Sequence, residues 1–102
     1  MNHGLKKRDI DSMLTAFGQF PEVRQVVIFG SRAKGSHKNG SDVDLAIKGE
    51  NVTDRTINSL KAILEEELPI PFFFDIIHYE KIKSKDLTDH IDRVGKVLYD
   101  KE

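Results

Sequence analysis

The feature that most constrains the fold is the stretch from residue 25 to residue 48, which reads QVVIFGSRAKGSHKNGSDVDLAIK. Four of its first five residues are apolar and three of the five are β-branched, which predicts a short buried strand. Its last seven alternate between polar and apolar residues, which predicts a second strand with one apolar face. The loop between the strands contains three glycines and three cationic side chains. An acidic strand that follows a flexible basic loop is poor material for a core, and it indicates a binding site.

Hydrophobic periodicity predicts seven elements, in the order helix, strand, helical turn, strand, helix, strand, helix. This order predicts an α/β (α+β) fold, with a small mixed sheet of about three strands and flanking helices. The pattern does not give the strand order. The predicted elements are a helix at 6–18, a strand at 25–29, a turn at 31–36, a strand at 42–48, a helix from 54 to about 66, a strand at 72–78 and a last helix that follows Ser84 and includes Leu98.

Length and charge narrow the class of protein. A chain of 102 residues provides one domain, predicted to span residues 1–102. The net charge of −1 gives the molecule no general attraction to DNA, RNA or anionic membranes, so any anion site must be local. The absence of cysteine excludes disulfides and thiolate zinc sites. Since there is no signal-peptide pattern and no apolar run long enough to cross a bilayer, a cytoplasmic location is expected.

Three aspartates are the candidate metal ligands. Asp42 and Asp44 are two apart on a predicted strand, so their side chains leave the same face with Cα atoms roughly 6.6 to 6.8 Å apart. Two such acids suffice for Mg²⁺, which keeps waters and substrate phosphates as ligands, although a lone pair of this kind is more often a solvated strand edge. Asp75 lies on the face of Phe73 and Ile77, where a carboxylate is costly unless it is paired or binds a metal. A salt bridge to a nearby cation is the alternative to a metal site.

The loop before the two aspartates has the chemistry of a phosphate site. Gly30 allows the backbone to approach a ligand closely, and Ser31 can donate a hydroxyl hydrogen bond to a phosphate oxygen. Arg32, Lys34 and Lys38 can offset the charge of a triphosphate. The loop matches neither the Walker A nor the Rossmann glycine pattern. A basic glycine-rich loop alone is weak evidence, but its fixed distance from the aspartate pair is specific.

The segments FGSRAKG and SDVDLAI, followed by the acid in FFFDIIH, resemble the nucleotidyltransferase domain of the DNA polymerase beta superfamily. The shared pattern is Gly-Ser, ten residues, Asp-x-Asp and a later strand acid. The small size and the ending HIDRVGKVLYD are most similar to the minimal nucleotidyltransferase (MNT) family of bacteria and archaea, often encoded beside a helical HEPN partner as a toxin–antitoxin pair. The resemblance covers essentially the whole chain, with Lys34 standing where arginine is common.

The resemblance implies a polymerase beta-like nucleotidyltransferase fold and Mg²⁺-dependent transfer of AMP, or another nucleoside monophosphate, from ATP or another NTP to a hydroxyl. It implies that Asp42 and Asp44 hold two Mg²⁺ ions. Asp75 is implied to complete the ligands of the second ion or to accept the acceptor's proton. Such a pair of ions stabilises the attacking and leaving oxygens of an in-line displacement. The residues implied to contact the nucleotide phosphates are Gly30, Ser31, Arg32 and Lys34.

The acceptor is expected to be a protein, since the chain has neither a further domain for gripping nucleic acid nor a basic stripe interleaved with aromatic residues. The resemblance points to a tyrosine of a HEPN partner, which would make this chain the antitoxin. One alternative is an antitoxin that acts by contact without catalysis. Another is an enzyme for a small-molecule acceptor, whose pocket a homodimer interface would have to supply.

Three other features are expected to be structural. His78 alternates away from Asp75, which indicates a packing or surface role. The glutamates at 65–67 are expected to be a solvated helix end. The three phenylalanines at 72–74 are expected to pack on both faces of a strand, with exposure at a protein interface as the alternative.

Overall fold

The structure is a computed structural model, which describes residues 4–35, 42–68 and 70–101. Within these ranges, four strands and four α-helices alternate, with one π-helical and one 3₁₀ turn. In chain order they are α1 (Lys7–Gly18), β1 (Gln25–Phe29), α2 (Gly30–Lys34), β2 (Val43–Lys48), α3 (Asp54–Ala62) with a π-helical turn (Ile63–Glu67), β3 (Phe74–His78), a 3₁₀ turn (Tyr79–Lys81), α4 (Lys85–Val94) and β4 (Lys96–Asp100).

The strands form one mixed sheet in the order β3-β2-β1-β4. β1 is antiparallel to both of its neighbours, β2 and β4, while β2 and β3 are parallel. A parallel pair needs a long crossover connection, and α3 provides it. The expected mixed α/β sheet with flanking helices is therefore confirmed, and β3 is an edge strand.

The side chains of the sheet divide into two apolar layers, as the alternation predicts. The larger layer packs against α1 and α3, and includes Leu45 and Ile76. The smaller layer lies on the other face, where Val27, Phe29 and Ala46 pack against Ile91 of α4. Each fully buried Val, Leu, Ile or Phe side chain in these layers stabilises the fold by about 1.5–3 kcal/mol. α4 thus covers the polar face of β2 at Ala46, whereas Asp42 at the start of this face is exposed and Asp44 is partly exposed.

The expectation that the last helix continues through Leu98 is wrong. α4 ends at Val94, and the following residues form β4 beside β1. The reason is visible at Gly95, where an added Cβ would collide with the Ile91 carbonyl oxygen and with Cγ1 of Val27. This close approach requires glycine, and the β-prone residues that follow pair with the open edge of β1. The sheet therefore has four strands rather than about three.

Most other elements agree with their sequence patterns. Thr53 caps α3 through a hydrogen bond from the Thr56 amide, and Ser84 caps α4 through one from the Leu87 amide. The expected helical turn after Gly30 is α2. The contact expected of Lys38 falls outside the described residues. Within the ranges that the structure describes, no helix has the length and apolarity needed to cross a membrane.

Candidate active site

The three aspartates lie on one face, at one end of the sheet. In the parallel pairing of β2 with β3, Asp44 is the Cα partner of Asp75. Neighbouring strands lie about 4.8 Å apart, so these two carboxylates are side by side. The amide of Val43 donates a hydrogen bond to the Phe73 carbonyl at 3.0 Å, which continues the pairing toward Asp42. The sequence prediction that two strands bring the three acids to one face is thus consistent with the register.

Gly30 connects the acids to the loop. It opens α2 directly after β1, with φ +74°, a conformation that favours glycine. A Cβ at this position would collide with Oδ2 of Asp44, so the carboxylate lies against the backbone at the start of α2. The glycine that was expected to admit a ligand therefore also makes room for the central carboxylate.

Like charges are concentrated at Asp44. Burial raises the pKa of Asp44, and the neighbouring charges of Asp75 and Asp42 raise it further. The positive charges of Arg32 and His90 act in the opposite direction without cancelling this rise. Three carboxylates that destabilise one another in this way are an arrangement that a divalent cation would relieve.

Arg32 is a buried counter-charge to these acids. Its side chain is only 2% exposed, and its guanidinium carbon lies 4.4 Å from the centre of the Phe72 ring. Burial lowers the pKa of Arg32, while Asp42 and Asp44 raise it in part. Packed against an aromatic ring beside the acids, Arg32 is placed to orient the carboxylates. Lys34, by contrast, is exposed at the end of α2.

Asp75 does not have the buried environment that the sequence suggested. It is exposed, because β3 is the edge strand and α4 does not cover this end of it. The expectation of a costly, buried carboxylate was therefore wrong for Asp75, although its position beside Asp44 agrees with the expected site. Within the described ranges, no salt bridge joins Asp75 to a cation, so the alternative role is not supported.

Two residues of this site were missed by sequence reasoning. His90 of α4 meets the Phe29 ring edge-on, with ring centroids 6.2 Å apart, and its charge reaches Asp44. Phe72 packs under the Arg32 guanidinium. The placement of His90 depends on how α4 packs on the sheet, which no local pattern gives. The three adjacent phenylalanines were the only signal for Phe72.

The acids have the ligand chemistry of a metal site but do not by themselves form a complete set of ligands. In the part of the chain that the structure describes, no three His, Asp or Glu side chains form a complete ligand group. Carboxylate oxygens are the ligands that Mg²⁺ prefers, and its remaining positions are commonly filled by waters and substrate phosphates. The donor type, the shared face and the raised pKa of Asp44 therefore fit a cation bound together with a nucleotide.

The other candidates are structural, as far as their contacts show. His78 lies on the face opposite Asp75, with Nε2 at 3.0 Å from the Gly49 carbonyl oxygen, which agrees with a packing role. The expectation of a solvated helix end was wrong for Glu65, whose Oε2 accepts a 2.7 Å hydrogen bond from the Phe74 amide. That carboxylate satisfies a backbone donor on the outer edge of β3.

Comparison with known proteins agrees with this geometry. Residues 12–102 match the family model for polymerase beta nucleotidyltransferases. No protein in a search of curated sequences matches the chain. The matched residues contain every candidate site residue named above.

Solved structures with the same fold include toxin–antitoxin complexes. A chain of a toxin–antitoxin crystal structure with AMP-PNP is 21% identical, with a TM-score of 0.72, over 96% of this chain and 76% of that one. A chain from a complex of a tri-AMPylated Shewanella oneidensis HEPN toxin with its MNT antitoxin is 16% identical, with a TM-score of 0.70, over 94% and 73%. A chain of an MntA–HepT complex is also 16% identical, with a TM-score of 0.70, over 93% and 73%. Together with the family match over nearly the whole sequence, the fold and the register of the acids show that this chain belongs to the polymerase beta nucleotidyltransferase family.

Proposed function

We propose that this chain is an MNT-type antitoxin, acting in the cytoplasm, that transfers AMP from ATP to a tyrosine of a HEPN-type toxin. The observation that carries the proposal is the position of Asp44, in register with Asp75 and packed against the backbone of Gly30. This arrangement puts a glycine-bearing loop start and two carboxylates within one small area. Such an area can hold a triphosphate and an acceptor hydroxyl together.

The order of the sheet supports one arrangement of the reactants. The start of α2 follows β1, so the Gly30 backbone and Ser31 would contact the terminal phosphates. Asp42 and Asp44, at the start of β2, lie next to it, and Asp75 of β3 lies beyond them. The nucleotide would therefore lie on the β1 side of the acids, with the acceptor on the β3 side.

Asp42 and Asp44 would hold two Mg²⁺ ions, with Asp75 completing the set. When bound, the ions would stabilise the charge on the attacking and leaving oxygens. Asp75 is exposed, so it can accept the proton of the incoming hydroxyl. The hydroxyl oxygen forms a bond to the α-phosphorus, the bond from that phosphorus to its bridging oxygen breaks, and pyrophosphate leaves. Arg32 and Lys34, the two cations of α2, would offset the negative charge that develops on the phosphates.

The choice of partner is supported by the fold neighbours. One of them is the MNT antitoxin in a complex whose HEPN toxin carries three AMP groups, and another is from a toxin–antitoxin structure with AMP-PNP. This chain covers at least 73% of those two chains, so the similarity extends over most of the domain. The exposed third acid leaves access for a macromolecular hydroxyl.

The test is to incubate the purified chain with ATP, Mg²⁺ and the HEPN protein of its host, followed by intact-mass measurement of that protein. We expect the mass to increase by whole AMP groups, and tyrosine-to-phenylalanine variants of the toxin to lose the increase. The Asp42→Asn/Asp44→Asn double variant serves as the inactive control. Full transfer by that double variant would refute the proposal, and neutralisation of the toxin without ATP would favour a contact-only antitoxin.

A further inference from the structure

Phe73 is the most exposed large apolar side chain among the described residues, at 72%. Its neighbours have structural roles: Phe72 packs against Arg32, and Phe74 is buried in the core. A single exposed apolar residue is common on protein surfaces and needs no explanation by itself. The position of Phe73 relative to the acids is what gives it significance.

The strand register places Phe73 beside Asp42. Val43 pairs with Phe74 and Asp44 with Asp75, while the 3.0 Å hydrogen bond from the Val43 amide to the Phe73 carbonyl extends the ladder one step further. Since alternate side chains share a face, Phe73 lies on the same face as Asp75, opposite to the buried Phe74. Four positions thus form a two-by-two array, with Asp42 beside Phe73 and Asp44 beside Asp75.

The sheet order puts Phe73 on the β3 side of the acids, although its neighbour Phe72 packs against the Arg32 side chain of α2. Gly30 and Ser31 follow β1, which lies on one side of β2, and Phe73 precedes β3, which lies on the other. The apolar layer under α4 includes Ile77 of β3 but not Phe73. A nucleotide with its phosphates at the start of α2 would leave Phe73 next to the incoming acceptor.

We propose that Phe73 binds and orients the acceptor, a tyrosine-bearing polypeptide segment, by packing against the aromatic ring that carries the reacting hydroxyl. The inference rests on the proposed function and specifies how its substrate is recognised. Aromatic pairs favour offset or edge-to-face contacts with centroids about 4.5–7 Å apart. Residues two apart on a strand, such as Phe73 and Asp75, are separated by a similar distance. A tyrosine ring that packs against Phe73 can therefore place its hydroxyl at Asp75. Holding the hydroxyl in line with the phosphorus is a positioning role.

The test compares the unaltered chain with Phe73→Ala, and uses Val97→Ala as the matched control. Val97 is also an exposed apolar residue, at 52%, but it lies on β4 at the opposite edge of the sheet. The KM for the HEPN acceptor and the Kd for a non-hydrolysable ATP analogue with Mg²⁺ are both measured. We expect Phe73→Ala to raise the acceptor KM about tenfold, as for the loss of one aromatic contact. The nucleotide Kd and the melting temperature should be unchanged, and Phe73→Tyr should restore the acceptor KM.

An acceptor KM that is unchanged by Phe73→Ala would overturn this role while leaving the proposed function intact. A rise in the nucleotide Kd instead would assign Phe73 to the nucleotide and would equally overturn it. The same increase in the acceptor KM for Val97→Ala would show that the effect is not specific to the site and would also overturn the role of Phe73. No transfer by the unaltered chain would refute the proposed function itself, and the acceptor role with it.

Discussion

Replacing Asp44 with asparagine is expected to stabilise the folded protein while abolishing transfer. Burial and the charges of Asp75 and Asp42 all raise the pKa of Asp44, so its ionised form is disfavoured in the folded state. Asparagine keeps the shape of the side chain and removes the charge. The residue proposed as the central ligand is thus a source of instability when no cation is bound.

The size of the effect follows from the register. Asp44 and Asp75 are Cα partners on strands about 4.8 Å apart. Two charges about 4.8 Å apart interact by about 0.9 kcal/mol in water and about 3.5 kcal/mol at an effective dielectric constant of about 20. Asp75 is exposed, so the lower end applies to this pair; burial of Asp44 and the charge of Asp42 add to the gain, while the lost attraction to Arg32 offsets part of it. A net gain of about 1 kcal/mol would raise the melting temperature of a domain of this size by about 4–8 °C.

The pH dependence of this effect has a definite sign. The unfolded pKa of Asp44 is near 3.8, and the folded value is higher. The unaltered protein therefore loses stability as the pH rises from below 3.8 through the raised folded pKa. The asparagine variant has no such loss, so its advantage should be absent in acid and fully developed at neutral pH.

Thermal unfolding followed by circular dichroism, with EDTA present, measures this difference. Glu50→Gln, an exposed acid in the turn after β2, at the end of that strand away from the aspartates, is the matched control and should not change the melting temperature. Replacing the EDTA with Mg²⁺ should then stabilise the unaltered chain more than the variant. A melting temperature of Asp44→Asn that is equal to or below that of the unaltered chain at neutral pH would refute the reasoning.

Three further substitutions test other contacts of the fold and site. Gly30→Ala should destabilise the folded protein by about 1–3 kcal/mol, because residue 30 has a positive φ and an added Cβ would collide with the Asp44 carboxylate. Gly18→Ala, with open space around it, is the control and should be neutral or stabilising. Urea unfolding of both variants checks this prediction. Arg32→Ala should lower the free energy of unfolding by about 1–3 kcal/mol because it removes a fully buried side chain that packs on Phe72 and also removes the counter-charge of Asp44, and an unchanged urea midpoint would restrict Arg32 to a role in binding substrate. Thr56→Val should cost about 1 kcal/mol at neutral pH, since the 2.7 Å hydrogen bond from Thr56 to Glu22 is lost. Because that bond holds the pKa of Glu22 below 4.5, its stabilisation disappears as the pH falls through the folded pKa, and urea unfolding in acid should show a smaller difference.

The parts of the fold that sequence reasoning identified are those set by local patterns. The strand, loop and alternating strand from residue 25 to residue 48 fix the face and spacing of Asp42 and Asp44 without tertiary information. The position of Asp75 beside Asp44 was expected only as convergence, because the register of β2 with β3 depends on the α3 crossover. Its exposure followed from the edge position of β3, which no local pattern contains.

The parts that were missed depend on close packing between distant segments. The apolar spacing at 87–98 fits a continuous helix, and the reason it stops is the contact of Gly95 with Val27, far away in sequence. The approach of His90 to Phe29 and Asp44 likewise depends on how α4 lies on the sheet. Helical periodicity describes one element at a time, so it gives neither result.

Calorimetric titration with a non-hydrolysable ATP analogue, with Mg²⁺ and then with EDTA, tests the central claim most directly. We claim that Asp42, Asp44 and Asp75 form a cation site that holds a nucleotide against the backbone of Gly30. The unaltered chain should then bind the analogue with Mg²⁺ and lose this binding in EDTA. The Asp42→Asn/Asp44→Asn variant should not bind in either condition. Equal binding by both proteins, or binding that does not depend on Mg²⁺, would contradict the account.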